Sequence, residues 1–242
     1  LAYGGEVYIP ASTTCYRFST PIVINNAVLL RGSGVGTCLE YTGSSGIALT
    51  WNPGPSRLAV NEQTGVGARD LTIQTSTPGS TGVRINSAGF IAQNVNVMGF
   101  DTGVTFGSNT YLITWHNGTF RNNKTALTFP EKGLTNSGEN MSFDHVVFAN
   151  GQQSDGKSLG VNCVTLNTTY SEPSSEFNFT DDSFDGCQVV IGTNKGMPIR
   201  FLNPHFEDVQ NTLDYPFVKI TAREEGAVAQ LINPEFLVDS AT

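Results

Sequence analysis

One short pattern of apolar and polar residues occurs seven times between Val66 and Phe236. Each copy has two alternating apolar residues, then a polar residue that is usually Asn or Asp, then a second apolar pair. The copies align without gaps as VGARDLTI, FIAQNVNV, ITWHNGTF, MSFDHVVF, FNFTDDSF, IRFLNPHF and AQLINPEF. A repeat this short cannot bury its apolar face alone, so successive copies must stack on one another. The pattern therefore predicts a solenoid with one copy in each turn.

The apolar positions form three columns when the copies are aligned. Apolar residues at every second position are typical of strands with one buried face, so we expect these columns to point inward. The first column is Val66, Phe90, Ile113, Met141, Phe177, Ile199 and Ala229. The second is Ala68, Ala92, Trp115, Phe143, Phe179, Phe201 and Leu231. The third is Ile73, Val97, Phe120, Phe148, Phe184, Phe206 and Phe236.

A polar column separates the two apolar pairs of each copy. It consists of Asp70, Asn94, Asn117, His145, Asp181, Asn203 and Asn233. Asn and Asp tolerate tight bends and form hydrogen bonds with nearby backbone, so the column predicts a ladder of side chains at a corner of the coil. The last residues of successive copies are 24, 23, 28, 36, 22 and 30 positions apart, so insertions vary in length from turn to turn.

A third strand follows most copies, as in GVRI, GVTF, ALTF, CVTL, QVVI and FVKI. Three short parallel strands in each turn describe a parallel β-helix. EVYIP, PIVI, AVLLRGSG and TCLEY are strand candidates of the same coil upstream of the first copy. A β-sandwich also has short strands at regular spacing, but three aligned apolar columns favour the β-helix.

Composition agrees with an all-β solenoid and excludes some functions. Charged residues are only 14% of the 242 residues, and there are 26 glycines. The 13 basic and 21 acidic residues give a net charge of −8, with no run of Lys or Arg. We therefore expect no nucleic-acid partner. No apolar run is long enough to span a membrane, so we expect no membrane partner either.

The four cysteines lack the CxxC spacing of a zinc site. Cys163 and Cys187 lie next to inward strand positions, which favours two packing thiols. Cys15 and Cys38 are about one turn apart, and the sequence leaves open whether they are bridged.

The chain resembles a known superfamily in several segments. GGEVYIPA and AVLLRGSGVGTCLEY resemble the start of the right-handed parallel β-helix in pectin-lyase-like proteins. FNFTDDSFDGCQVVI and IRFLNPHFEDV resemble segments of bacteriophage tailspikes, capsule depolymerases and related polysaccharide-degrading enzymes. The resemblance implies one right-handed coil over residues 1–242, with three sheets and at least seven full turns.

The resemblance also implies a setting for the protein. It implies a polysaccharide partner, an extracellular or virion location such as a phage tail, and a homotrimer whose groove lies within or between chains. In the superfamily a capping helix and an attachment module usually precede the coil. Neither these nor a signal peptide is recognisable here, so we expect a fragment or trimmed domain. The superfamily includes hydrolases, lyases, epimerases and inactive adhesins, so the fold does not fix the chemistry.

The candidate site lies on the outward positions beside the third apolar column. Asp185 and Glu207 are 22 residues apart, one turn without insertion, so their backbones should lie about 4.8 Å apart on adjacent strands. Two adjacent carboxyl groups suit glycoside hydrolysis, in which one acts as acid and the other as base or nucleophile. We predict these two as the catalytic pair, with His205 in support and Glu235 as a reserve carboxylate. The predicted substrate-binding residues are Ser183, Arg121, Asp208 and Trp51.

Other interpretations of this patch stay open. A lyase or epimerase acting on uronates needs cations near the substrate carboxylate. The sequence places only Arg121 and Arg200 within a few strands of Asp185 and Glu207. The patch also suits glycan binding without catalysis, a solvated acidic surface, or a Ca²⁺ site, with no other cofactor expected. His116 and Asp144 form a reserve pair on the first strand.

Two long insertions flank the candidate site in the sequence. Gly151–Leu159 and Asp208–Pro216 account for most of the two longest spacings between copies. Both leave the coil from the end of a second strand, and we expect them to form the walls of a groove beside Asp185 and Glu207.

Overall fold

The computed structural model describes residues 5–34, 36–52, 66–129, 137–149, 162–166, 176–191, 198–208, 216–220 and 228–238. Within these ranges the chain forms strands joined by turns and bends, without a helix. Each strand pairs in parallel with the equivalent strand of the preceding or following turn. The described chain is therefore a parallel β-helix, as the sequence predicted. No helix of the described part has the length and apolar character needed to cross a membrane.

The first two turns each contain three separate strands. They are β1 (Gly5–Tyr8), β2 (Tyr16–Phe18), β3 (Ile22–Ile24), β4 (Val28–Arg31), β5 (Cys38–Tyr41) and β6 (Gly46–Trp51). All four upstream strand candidates are confirmed, whereas β2 and β6 were not predicted.

The next four turns have one long strand followed by one short strand. They are β7 (Gly67–Gln74), β8 (Ser80–Ile85), β9 (Ile91–Met98), β10 (Thr102–Phe106), β11 (Ile113–Arg121), β12 (Thr125–Phe129), β13 (Met141–Ala149) and β14 (Asn162–Leu166). Each long strand passes through the corner between the two apolar pairs of one copy, although β7 and β9 begin one residue after the first apolar residue of their copies.

The last turns again have separate strands. They are β15 (Phe177–Thr180), β16 (Ser183–Asp185), β17 (Gln188–Ile191), β18 (Pro198–Leu202), β19 (His205–Asp208), β20 (Val218–Ile220), β21 (Val228–Ile232) and β22 (Glu235–Val238). The described strands form a 14-stranded sheet and an 8-stranded sheet. The first, second and third strand positions of each turn form the first, second and third faces of the coil. Hydrogen bonding joins the first two faces into one sheet, because β7, β9, β11 and β13 run unbroken through the corner.

The corner column adopts one unusual backbone conformation. All seven of its residues have φ between 49° and 54°, the left-handed region that Asn and Asp tolerate best among residues with a side chain. Asn94 Nδ2 donates to Asp70 Oδ1 at 2.7 Å, and Asn117 Nδ2 donates to Asn94 Oδ1 at 2.8 Å. Near the other end, Asn203 Nδ2 donates to Asp181 Oδ1 at 2.9 Å. The predicted corner ladder is confirmed.

Replacing Asn94 by valine should destabilise the coil by about 2–5 kcal/mol, since one backbone penalty and two hydrogen bonds are involved. A β-branched residue in the left-handed region costs about 1–2 kcal/mol, and each lost side-chain hydrogen bond costs about 0.5–1.5 kcal/mol. Chemical denaturation of the variant measures the loss. Asn94→Gly is the matched control, since it relieves the backbone and loses only the ladder. Equal stabilities of the two variants would contradict this account of the corner.

The predicted columns fill the core. Nearly all their residues from Val66 to Phe206 are buried. The rings of Phe148, Phe184 and Phe206 stack, with centroids 5.1 Å apart at each step. Phe236 continues the stack at 5.3 Å but is 51% exposed, since no later turn lies within the described residues. The inward register of the third column is confirmed.

Two predictions about single residues are wrong. Cys163 and Cys187 are not free thiols but form a disulfide across neighbouring turns, with Cα atoms 5.4 Å apart. Trp51 does not have the predicted substrate-binding role, because β6 extends to it and its ring is fully buried, with Nε1 donating to the Val28 carbonyl. Cys15 and Cys38, left open by the sequence, also form a disulfide.

A buried carboxyl group lies directly after Asp181, the fifth residue of the corner column. Asp182 is 1% exposed; its Oδ1 accepts the Val146 N–H at 2.7 Å, while Oδ2 has no hydrogen-bond partner among the described residues. Burial raises the pKa of Asp182 well above its usual value, despite the hydrogen bond from Val146. The native state therefore holds this proton at pH values where the unfolded chain releases it.

Asp182 should make the fold less stable as the pH rises. The pKa of Asp182 is higher in the folded state than in the unfolded chain, where it is about 3.9. Its titration therefore has no effect on the free energy of unfolding below that value, and lowers this free energy as the pH rises toward the folded pKa. Asp182→Asn keeps the acceptor for Val146 and removes the titration. Denaturation at several pH values should show that the free energy of unfolding of the variant, relative to that of the wild type, increases from acid to neutral pH. A constant difference would contradict the buried protonated state.

Candidate active site

The candidate site is on the second face of the coil, where three short strands lie side by side. Ser183, His205 and Glu235 are register partners along β16, β19 and β22, and Asp185 is the register partner of Glu207. Alternation places these side chains outward because Phe184, Phe206 and Phe236 between them point inward. The predicted adjacency of Asp185 and Glu207 is confirmed.

The three central side chains converge above the sheet. A carboxylate oxygen from Asp185, one from Glu207 and a ring nitrogen of His205 all lie within 4.8 Å of one another. His205 Nε2 is 3.3 Å from Glu207 Oε2, and its Nδ1 is 3.2 Å from Glu235 Oε2. This group is named the acidic patch: Asp185, His205, Glu207 and Glu235. Its nitrogen and oxygen donors could also hold a divalent cation.

The surroundings of Asp185 raise the pKa of its carboxyl group. Burial raises the pKa of Asp185, and the neighbouring negative charge of Glu207 raises it further. The Ser183 hydroxyl, which donates to Asp185 Oδ1, and the charges of His205 and Arg121 oppose this rise. Asp185 is therefore suited to hold a proton at higher pH than an exposed aspartate.

His205 links the two glutamates. Partial burial alone would lower the pKa of His205, but hydrogen bonds to Glu235 and Glu207 outweigh it and raise the pKa. The imidazole therefore keeps its positive charge to higher pH and stays between the two carboxylates. Glu235 is 76% exposed and joins the patch only through His205.

The predicted substrate-binding residues are spread over several environments. Arg121 lies two turns from Asp185, with Ala149 between them in the register. Ser183 lies in the patch and contacts Asp185. Asp208 is 5% exposed at the end of β19, which does not fit the binding role predicted for it. The insertions predicted as groove walls were Gly151–Leu159 and Asp208–Pro216. Residues 151–159 and 209–215 of them lie outside the described residues.

A second cluster lies on the first face, at the fourth corner. His116 on β11 and Asp144 on β13 are register partners, as predicted, and His116 Nδ1 is 2.6 Å from Asp144 Oδ2. His145 Nδ1 is 2.8 Å from the other oxygen, Oδ1. Burial alone would raise the pKa of Asp144, but the hydrogen bonds with His145 and His116 outweigh it, so the pKa is lowered.

His145 was missed as a candidate in the sequence. Its signal was its place in the corner column, where the other six copies carry Asn or Asp.

Comparisons with known proteins do not assign the chain to a family. No protein-family model matches the sequence, and no curated protein matches it. Five chains of solved structures match, and one of them, Geobacillus virus E2 ORF18, has 17% identity and a TM-score of 0.47. The match covers 98% of this chain and 54% of that one, so the chain spans about half its length. A likeness at this level does not bear on function.

Proposed function

We propose that the protein hydrolyses glycosidic bonds of a bacterial surface or extracellular polysaccharide at the acidic patch. One observation carries the proposal: Asp185 and Glu207 are paired one turn apart, with carboxylate oxygens within 4.8 Å of each other. Retaining glycosidases have their two carboxyl groups about 5–5.5 Å apart, and inverting ones about 6.5–9.5 Å. The pair supports the retaining class.

The environments of the two groups support separate roles. Asp185, whose pKa is raised by burial and by Glu207, is the proposed acid that protonates the leaving oxygen. Glu207 is the proposed nucleophile, held in place by His205. After the glycosyl-enzyme forms on Glu207, Asp185 takes a proton from the attacking water, and hydrolysis of the ester restores both groups.

Other features support the setting of this proposal. The segments that resemble pectin-lyase-like β-helices and phage tailspikes favour a polysaccharide substrate, a virion location and a homotrimer. Two disulfides join neighbouring turns, and disulfides persist mainly in oxidising surroundings, which favours an extracellular location. We include the homotrimer in the proposal, and light scattering of the purified chain would test it.

A panel of bacterial capsules and O-antigens tests the proposed reaction. The wild type should release reducing ends from at least one glycan, and the Asp185→Asn/Glu207→Gln double variant should not. Glu6→Gln, an exposed carboxylate on β1, is the matched control and should keep full activity. An unsaturated product would instead indicate a lyase. Binding without product would indicate an adhesin, and either result would overturn the proposal.

Removing the Ser183 hydroxyl should shift the pH profile of cleavage. The hydroxyl lowers the pKa of Asp185, so Ser183→Ala should raise that pKa further. Because the proposed acid must be protonated, the alkaline limb of kcat/KM should then move to higher pH. Ser183→Thr keeps a hydroxyl and should leave the limb in place. Identical profiles for both variants would contradict the role of Asp185.

A further inference from the structure

The second cluster, His116, Asp144 and His145, includes the one residue of the corner column that is neither Asn nor Asp. His116 is the register partner of Gln93 in the preceding turn. His145 occupies a corner position that the other copies fill with Asn or Asp. The chain has three histidines, and two of them meet here. Neither histidine is needed to form the coil, because turns without these histidines fold in the same way.

The three side chains present their donors to a common point. The two oxygens of Asp144 face the Nδ1 atoms of His116 and His145, at 2.6 Å and 2.8 Å. One donor atom from each residue lies within 4.8 Å of the other two. The ring centroids are 6.0 Å apart. A further carboxylate, that of Asp181, has its Oδ2 4.0 Å from His145 Nε2.

We propose that His116, Asp144 and His145 bind a divalent transition metal ion such as Zn²⁺. Imidazole nitrogens with one carboxylate are the donor set that such ions prefer, whereas Ca²⁺ and Mg²⁺ prefer oxygen ligands alone. Three protein ligands leave at least one position for water or for an oxygen of another molecule. The site is separate from the acidic patch and does not depend on the proposed hydrolysis.

The geometry needs only a small adjustment. Bonds of about 2.0–2.1 Å to a tetrahedral ion place neighbouring ligand atoms roughly 3.3 Å apart, so the rings must withdraw from Asp144 by about 0.5–0.7 Å. The three side chains are 46%, 36% and 59% exposed in chain order, so the rings have room to move and the ion can enter from solvent. The backbone ladder between β11 and β13 meanwhile keeps the ligands in register.

Zn²⁺ titration of the purified chain, by calorimetry and by equilibrium dialysis, tests the site. We expect one ion per chain and a rise in the melting temperature on binding. His145→Asn and His116→Gln insert the residues that neighbouring turns carry, so both variants should fold. Each should weaken binding by at least about tenfold, the lower end of the loss seen when only a residue behind a metal ligand is changed.

The third histidine provides the control. His205→Asn alters the acidic patch, whose Asp185, His205 and Glu207 could also hold a cation, and it should leave Zn²⁺ binding unchanged. Visible spectra of the Co²⁺-loaded protein should change in His116→Gln and His145→Asn but not in His205→Asn. Three results would each overturn the proposal. They are loss of Zn²⁺ binding only in His205→Asn, unchanged Zn²⁺ binding in both His116→Gln and His145→Asn, and no Zn²⁺ binding by the wild type.

Discussion

Glu207→Gln should lower turnover of the correct glycan by at least about a hundredfold with binding retained, since losing the nucleophile should cost no less than losing general acid–base assistance. The amide keeps the shape of the side chain and its contact with His205 but cannot form the glycosyl-enzyme. Asp185→Asn should cause a loss of similar scale, since an amide cannot give its proton to the leaving oxygen. Initial rates at saturating substrate and glycan affinity measured by calorimetry separate the two effects.

Controls for this loss come from the same strands. Glu235→Gln should have a smaller effect, because Glu235 reaches the pair only through His205. A circular-dichroism melt of each variant would confirm that the coil is intact. If Asp185→Asn and Glu207→Gln both kept near wild-type turnover, the catalytic pair would be wrong. The site would then lie elsewhere, with the reserve pair of His116 and Asp144 or an interface between chains as the next hypotheses.

Phe206→Asp should prevent folding. The ring is fully buried and stacks between Phe184 and Phe236, at centroid distances of 5.1 Å and 5.3 Å. Removing a buried Phe ring already costs about 3–5 kcal/mol, and an unpaired buried charge costs several more, against a total stability of about 5–15 kcal/mol. The loss of the cooperative melting transition is the expected readout.

Phe236→Asp is the matched control for this prediction. It places the same charge in the same stack, but at a position that is 51% exposed. The aspartate can therefore stay solvated, and we expect this variant to fold with a smaller loss of stability. Equal losses in the two variants would contradict the inward register of the third column.

The repeat predicted much of the fold because each turn encodes its own register. Period-two alternation determines which side chains point inward, and the spacing of copies then determines which residues become neighbours. This is why Phe206 could be placed in the core and Asp185 beside Glu207 from sequence alone. The left-handed corner was predictable for the same reason, since Asn and Asp recur at the one position that requires it.

Features that depend on contacts between turns were harder to predict. Cys163 lies where the strand register shifts between Asn162 and Val164, and it is bridged to Cys187 in the next turn. Trp51 lies in a sequence that resembles a loop, and only its pairing with Ile24 and Ile85 places it in the core. The pKa of Asp185 depends on burial and on charges from other turns, which no local pattern reports.

The anomeric configuration of the first product tests the central claim most directly, because it depends on the distance between the two catalytic carboxyl groups. NMR of the reaction during the first turnovers would identify the anomer before it equilibrates. The close pairing of Asp185 and Glu207 predicts retention of configuration. Inversion would contradict the account, because it requires carboxyl groups about 6.5–9.5 Å apart with a water between them.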